Sequence, residues 1–300
     1  MQKKTVGLIL ASVGPFLWGS SGTVAQHLFN TTAIDPMWLV SVRMLVSGIL
    51  LIGYGLITKA PVWTVFHSAR ATGKLVAFSL LGMASVQLTY FMAISTGNAA
   101  TAAILQFLSP VIIIIYLALI HFKWPSKIDV ISVVSAILGT ILIVTEGRLD
   151  SLALPAVAVA WGLLAAVGAA VYTLMPTKLL RTYGSIPIVG WSMLIGGGIV
   201  SVVTQAWQHW PRLTSGQWGE VGFVIIFGTM LAYLFFLQSL EAILPTTASV
   251  LGAIEPLAAT VLSVLFLKVS FNVFGILGAV LIVGVTFLQF MAAKDAMMSS

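Results

Sequence analysis

The sequence predicts an all-α integral membrane protein: ten transmembrane helices in two inverted five-helix halves, with both termini in the cytoplasm. Three observations predict it: a composition too apolar for a water-facing surface, ten apolar stretches of membrane-crossing length, and a segment of the first half that returns in the second. Of 300 residues, 59% are hydrophobic and 7% charged, with a mean hydropathy of +1.09. A soluble domain carries roughly 25% charged residues, so this chain cannot cover itself with polar groups. There is no cysteine, which removes disulfides and thiolate metal ligands. The net charge of +6 would suit nucleic acid, but the basic residues lie mostly between apolar stretches, where they report orientation instead.

A helix needs about 20 apolar residues to cross the hydrocarbon core. Ten segments qualify, at 6–28, 36–57, 72–95, 99–121, 127–146, 152–175, 186–207, 218–240, 246–267 and 271–291. The first follows "MQKK" and is long for a signal peptide, and "SSGTVAQHLFN" offers no convincing cleavage site, so it is read as a retained helix. With the N-terminus inside, Lys3, Lys4, Lys59, Arg70, Lys74, Lys123, Lys127, Lys178, Arg181 and Lys294 fall on the cytoplasmic side. Arg148, Arg212 and Lys268 fall outside, and Arg43 lies within a span. This asymmetry follows the positive-inside rule. The short connections leave no room for a soluble domain.

The repeat is visible without gaps. "ISTGNAATAAILQFLSP" (Ile94–Pro110) aligns on "LEAILPTTASVLGAIEP" (Leu240–Pro256), with Thr101, Ala102, Leu105 and Pro110 on Thr247, Ala248, Leu251 and Pro256. Five spans, an odd number, separate equivalent points, so the halves, 1–146 and 147–300, take opposite orientations. Inverted repeats with a site between them are a common secondary-transporter architecture.

Together with this organisation, "LWGSSGTV" in the first span, Arg43 in the second, and "LSP" and "IEP" in the fourth and ninth resemble the drug/metabolite transporter superfamily. More narrowly, the chain is similar to bacterial proteins with two EamA domains. The resemblance covers nearly the whole chain and rests on the order and spacing of motifs rather than on any one of them. It implies transport of small organic solutes, such as amino acids and their derivatives, nucleosides or toxic metabolites, across the bacterial plasma membrane. One departure is that such proteins often carry Gly-Glu after the fourth and ninth helices, where this chain reads "HFKWPS" and "FLKVSF".

Candidate site residues follow from the cost of polar groups in hydrocarbon. Pro110 and Pro256 cannot donate to the carbonyls of Gln106 and Gly252, and an unpaired carbonyl there must be met by protein, water or ligand. Pro110, Pro256 and Gly252 are the expected hinge points; kinks that serve packing alone are the competing reading. Glu255 stands about nine residues into its span, roughly 14 Å at 1.5 Å per residue. Ala248, Gly252 and Ala259 share its helical face. Desolvation disfavours a charged carboxyl, so Glu255 is the candidate to carry a proton or to meet a substrate amine; a fixed salt bridge or a helix-to-helix hydrogen bond is the bland alternative. Arg43 is its counterpart for a substrate carboxylate, which it can hold bidentately, unless it snorkels outward or pairs with Glu255. Gln87, Tyr90 and Gln106 fall at a similar depth. Trp18, in step with Gly7, Ala11, Gly14, Ser21 and Ala25, is either a packing wedge or part of the site. Trp161, and Tyr233 as the second-half counterpart of Tyr90, complete the aromatic set, able to hold an apolar side chain or an amine. Trp63, Trp124, Trp207, Trp210 and Trp218 sit near span ends as interfacial anchors.

His27, His67, His121 and His209 show no ligand spacing, and no metal or cofactor is expected. "GGG" at 196–198 and "GILGAVLIVG" at 275–284 supply small-residue packing surfaces, the latter also for a homodimer if the chain is not a monomer. Without a P-loop, ATP drive within this chain is not expected. An intramembrane enzyme would need paired aspartates, HExxH or a Ser/His pair at depth, none of which occurs in the spans, and a channel would need a repeated filter. The reading that remains is a secondary carrier working by alternating access; the family resemblance alone favours export of an amino acid or derivative, and Glu255 is the candidate should transport be coupled to H+. A facilitator or an importer for a nucleoside, a choline-like amine or a drug is the alternative. The expected partners are the bilayer, one small solute and a proton, with no nucleic acid.

Overall fold

The computed structural model describes residues 2–121, 126–148, 153–208, 210–239, 242–243 and 245–298, and these are helical apart from short connections. Among them, nine helices are long and apolar enough to cross a membrane: Lys3–Thr31, Pro36–Ile57, Ala69–Thr96, Ala99–Ile120, Lys127–Thr145, Ala156–Leu174, Ser185–Thr204, Ser215–Ser239 and Val250–Leu267. They are numbered first to ninth. A tenth, within Val273–Met298, has a shorter apolar stretch, Val273–Gln289. Lys123, Trp124, His209, Leu240 and Glu241, and with them most of "HFKWPS", lie outside the described residues.

Local chemistry sets the helix ends. The Asp35 side chain accepts from Met37 N and precedes Pro36 at the first helical position, where a missing N–H costs nothing. Asn98 caps the fourth helix through Thr101 N, and Gln26 of the first helix accepts from Ala99 N. Ser126 with Asp129 and Thr214 with Gln217 form capping boxes at the fifth and eighth helices. A short helix, Thr177–Tyr183, follows the sixth and is not foreseen by the periodicity.

Four spans are not continuous α-helix. The third and eighth each contain a π-turn, at Ser79–Ala84 and Ile226–Leu231. The fourth breaks at Phe107 and Leu108, dividing Ala99–Gln106 from Ser109–His121. The ninth breaks at Ala253, dividing Pro245–Gly252 from Ile254–Leu267. In the register that lays Ile94 on Leu240, the two breaks coincide and the two π-turns agree to within one residue. The breaks lie two to three residues before Pro110 and Pro256. A proline ring clashes with the carbonyl four residues back but fits the first turn of a helix, so the chain restarts its helix at each proline. Around the breaks the hydrogen bonds tighten to a three-residue span: Leu108 N to Leu105 O, 3.1 Å, and Ala253 N to Val250 O, 3.1 Å.

The helix pairings are related by exchange of halves. The second packs on the seventh, the fifth on the tenth, and the fourth on the ninth; the first packs on the eighth and ninth as the sixth packs on the third and fourth. Close approach is achieved by small residues. Gly139 and Gly278 face one another so tightly that a Cβ on Gly139 would lie 2.8 Å from the Gly278 carbonyl oxygen. That part of "GILGAVLIVG" is therefore used inside the chain, against the fifth helix, and is not available for the dimer contact that the sequence suggested.

Overpacking a close contact costs about 1–3 kcal/mol. Gly278→Val is expected to lower the thermal midpoint in detergent, while Gly284→Val, with nothing within 4 Å of its added Cβ, leaves it close to that of the unaltered protein. Equal midpoints for both variants in a thermal melt would contradict this account of the fifth and tenth helices.

Candidate functional site

The interruptions converge. A cavity of about 90 Å³ is lined by Trp18 and Ser21 of the first helix, Arg43 of the second, Val86, Gln87 and Tyr90 of the third, Gln106 of the fourth, Ala169 and Tyr172 of the sixth, Tyr233 of the eighth and Glu255 of the ninth. Of the residues expected from sequence, Trp18, Arg43, Gln87, Tyr90, Gln106, Tyr233 and Glu255 are brought together here. Trp161 is not: it packs, half-buried, against the main core and lines neither this cavity nor the chamber beside it.

Buried polar atoms almost always find a hydrogen-bond partner. Here Trp18 Nε1, Arg43 Nη1, Gln87 Oε1 and Tyr90 Oη are all buried without a protein partner, and all four residues line this one cavity. Gln87 uses its amide nitrogen on Met83 Sδ at 3.3 Å, leaving its oxygen unspent.

Arg43 is 4% exposed and does not snorkel. Its Nε donates to Thr229 Oγ1 at 3.0 Å, and its guanidinium carbon lies 4.1 Å from the centre of the Phe91 ring. Thr229 belongs to the π-turn of the eighth helix and donates its own hydroxyl to Val224 O at 2.8 Å. Ser47, one helical turn below Arg43, donates to Ile225 O at 3.0 Å, meeting a carbonyl at the start of the same π-turn. No ion pair joins Arg43 to Glu255; among the described residues the basic and acidic side chains within 4.0 Å of one another are His27 and Glu220, hydrogen-bonded at 3.0 Å.

Glu255 is not mid-helix, as its sequence position suggests. The break at Ala253 puts it in the first turn of Ile254–Leu267, where the helix dipole favours negative charge. Gln106, the last residue before the matching break, reaches Glu255 Oε1 with its amide nitrogen at 3.5 Å. The first helix fixes the backbone behind this carboxyl, since a Cβ on Gly19 would overlap the Glu255 carbonyl oxygen and lie 2.8 Å from Ala259 N. Ala259, one turn on in the same helix, is fully buried; Ala248, before the break, packs with Ala11 and Ile243.

The remaining wall is aromatic. Trp18 meets Tyr233 edge-on at 4.9 Å and Phe236 at 5.2 Å, and Tyr233 meets Tyr172 at 6.0 Å. Trp18 is thus both wedge and wall. The register of the repeat pairs Tyr233 with Gln87, and Phe236 with Tyr90, which corrects the equivalence of Tyr90 with Tyr233. Trp18, Gln106, Ala169, Tyr172 and Glu255 also border a chamber of about 440 Å³ that runs past Pro110 and Gly252 to Thr173, Thr286 and Gln289. There Gln289 bridges to Asp129 at 3.0 Å and Ser132 at 2.9 Å, tying the tenth helix to the fifth.

Sequence reasoning missed Ser21, Tyr172, Thr229 and Phe91. Thr229 left a faint signal, as a hydroxyl beside Gly228 in the apolar run "VIIFGTMLAY". Phe91 left none, because an aromatic in an apolar helix has no distinguishing mark until its neighbour is known. Among the described residues no three His, Cys, Asp or Glu side chains group as metal ligands.

Known proteins share this architecture. A protein named Uncharacterized inner membrane transporter YicL, from Salmonella typhimurium, is 33% identical over 277 residues, 92% of this chain and 92% of its own length. Protein PecM from Dickeya dadantii is 27% identical over 278 residues, 91% of this chain and 88% of its own. One solved crystal structure has the same fold at a TM-score of 0.69, over 98% of this chain and 99% of that one, with 15% sequence identity. The EamA-like transporter family matches twice, at residues 5–145 and 156–291. The family and the first of these relatives are transporters rather than enzymes, and this chain belongs to the EamA-like transporter family as a multi-pass membrane transporter.

Proposed function

We propose that the chain is a secondary carrier of the bacterial inner membrane that exports a small zwitterionic organic solute, an amino acid or a derivative of one. The observation that carries this reading is the cavity in which Glu255 meets Arg43, Trp18, Gln87 and Tyr90, the last four each with a buried polar atom that has no protein partner. Arg43 takes the anionic group through its free terminal nitrogen, Glu255 takes the ammonium, and Trp18, Tyr172 and Tyr233 hold the carbon skeleton. The inner-membrane location is supported by the name of the relative from Salmonella typhimurium.

Alternating access needs two related halves and points at which their helices bend. The reading of ten spans in two inverted units, 1–146 and 147–300, with cytoplasmic termini, is supported by the exchange-related pairings, the coincident breaks and the distribution of Lys and Arg. On that orientation the chamber past Thr173 and Gln289 is the cytoplasmic approach to the site. Rocking about Phe107–Leu108 and Ala253 closes it and opens the opposite side.

Two measurements test the reading. In proteoliposomes, counterflow of amino acids, nucleosides, choline and polyamines is expected to reveal exchange of a zwitterion, and Arg43→Lys is expected to raise its half-saturation concentration about tenfold, about 1.4 kcal/mol. If neither Arg43→Lys nor Glu255→Gln changes exchange at normal expression, the site is misplaced. Proton coupling is tested separately: a pH gradient is expected to drive wild-type accumulation, and Glu255→Gln is expected to ignore the gradient. Equal responses of both proteins to the gradient would remove Glu255 from the proton path.

A further inference from the structure

A guanidinium that holds a carboxylate must present its terminal nitrogens in one orientation, and a long flexible side chain does not do so unaided. Arg43 is held at two points, neither of which is an acidic partner. The Phe91 ring lies against its guanidinium face, and Thr229 Oγ1 takes its Nε at 3.0 Å. Thr229 is fully buried, and its hydroxyl is itself oriented, because its proton goes to Val224 O at 2.8 Å. With the proton committed there, the lone pairs of Oγ1 are what remain for Arg43. Nη1 keeps no partner.

A regular α-helix would not place Thr229 this way. The bond from Thr229 Oγ1 to Val224 O spans five residues and belongs to the widened turn Ile226–Leu231. Gly228 lets the first helix lie directly on that turn, since a Cβ there would overlap the Ser21 side chain. Ser47 meets the carbonyl of Ile225 at its start. The second helix therefore grips the π-turn twice, at Ser47 and at Arg43. π-turns of this kind recur at functional sites.

Building on the carrier reading above, we infer that Thr229 is the positioning residue of the anion subsite. Presented by the π-turn of the eighth helix, it locks Arg43 by its Nε so that Nη1 is left for a substrate carboxylate. Thr229 does not itself touch substrate. Its hydroxyl matters because it donates and accepts at once, a pattern that serine keeps and valine, of nearly the same shape, loses. The subsite is thereby selective for carboxylates over uncharged or purely cationic solutes, with the second and eighth helices each supplying one element.

Acetate is the probe, added to the full chain in lipid nanodiscs with arginines labelled at the side-chain nitrogens. The Arg43 signal is identified as the one lost in Arg43→Lys. Wild type is expected to show a saturable acetate-dependent shift of that signal; Thr229→Ser keeps the midpoint within about twofold, and Thr229→Val raises it about tenfold. Thermal melts of both variants accompany the titration, and Thr229→Ala replaces the valine variant should that one not fold. A midpoint unchanged in a folded Thr229→Val or Thr229→Ala protein overturns the positioning role while leaving Arg43 as the anion site. A wild-type Arg43 signal indifferent to acetate overturns the anion site itself, and the role of Thr229 falls with it.

Discussion

Hydrocarbon offers no hydrogen bond to a peptide group, and the helix breaks and the π-turn of the eighth helix are arranged around that constraint. An α-helix meets it without help. The third, fourth, eighth and ninth helices do not stay regular, so each interruption must be met from a neighbour or placed beside a cavity. Ser47 meets Ile225 at one π-turn. The breaks before Pro110 and Pro256 tighten their own hydrogen bonds and border the chamber that contains Gly252 and Glu255. The two helix breaks and the π-turn that carries Thr229 thus lie beside the proposed solute site.

The same interruptions aim the polar side chains. A continuous ninth helix would carry Glu255 on an unbroken cylinder; the break turns it into the first residue but one of a new helix, at the end where backbone N–H groups favour an anion. The π-turn of the eighth helix brings Thr229 against Arg43, and the third helix supplies Gln87, Tyr90 and, one residue on, the Phe91 ring. Small residues make this possible. Gly19 and Gly228 let the first helix lie on the backbone of the ninth and eighth, so the elements that carry Glu255 and Thr229 are held by contact at van der Waals distance. Without a hydrophobic drive between helices in lipid, that packing and the few interhelical hydrogen bonds carry the association.

A cavity with partnerless polar atoms costs stability. It lies at the meeting point of both sequence-related halves, which is why the solute site is proposed there. Arg43 and Glu255, the two groups that would neutralise one another most simply, are kept apart and share the cavity instead. A basic and an acidic side chain that share one small space without pairing are the feature on which the proposed zwitterion site rests.

Much was legible without coordinates, for a physical reason. The bilayer imposes length and apolarity on each span, the repeat is written in matching residues, and the rarity of Arg43, Glu255, Gln87 and Gln106 among apolar neighbours marks them as polar groups in need of a use. Membership of a membrane-spanning, twofold-repeated chain, and most of the candidate site, therefore came from sequence alone. Tertiary structure decided the rest. It excluded Trp161 from the cavity, added Tyr172 to its wall and Phe91 and Thr229 beside Arg43, moved Glu255 to a helix start, and placed Gly278 of the tenth helix against Gly139. These depend on which helix faces which, and on helix breaks and π-turns that shift every later side chain around the axis. The spacing of residues along one chain does not record contacts made with another helix.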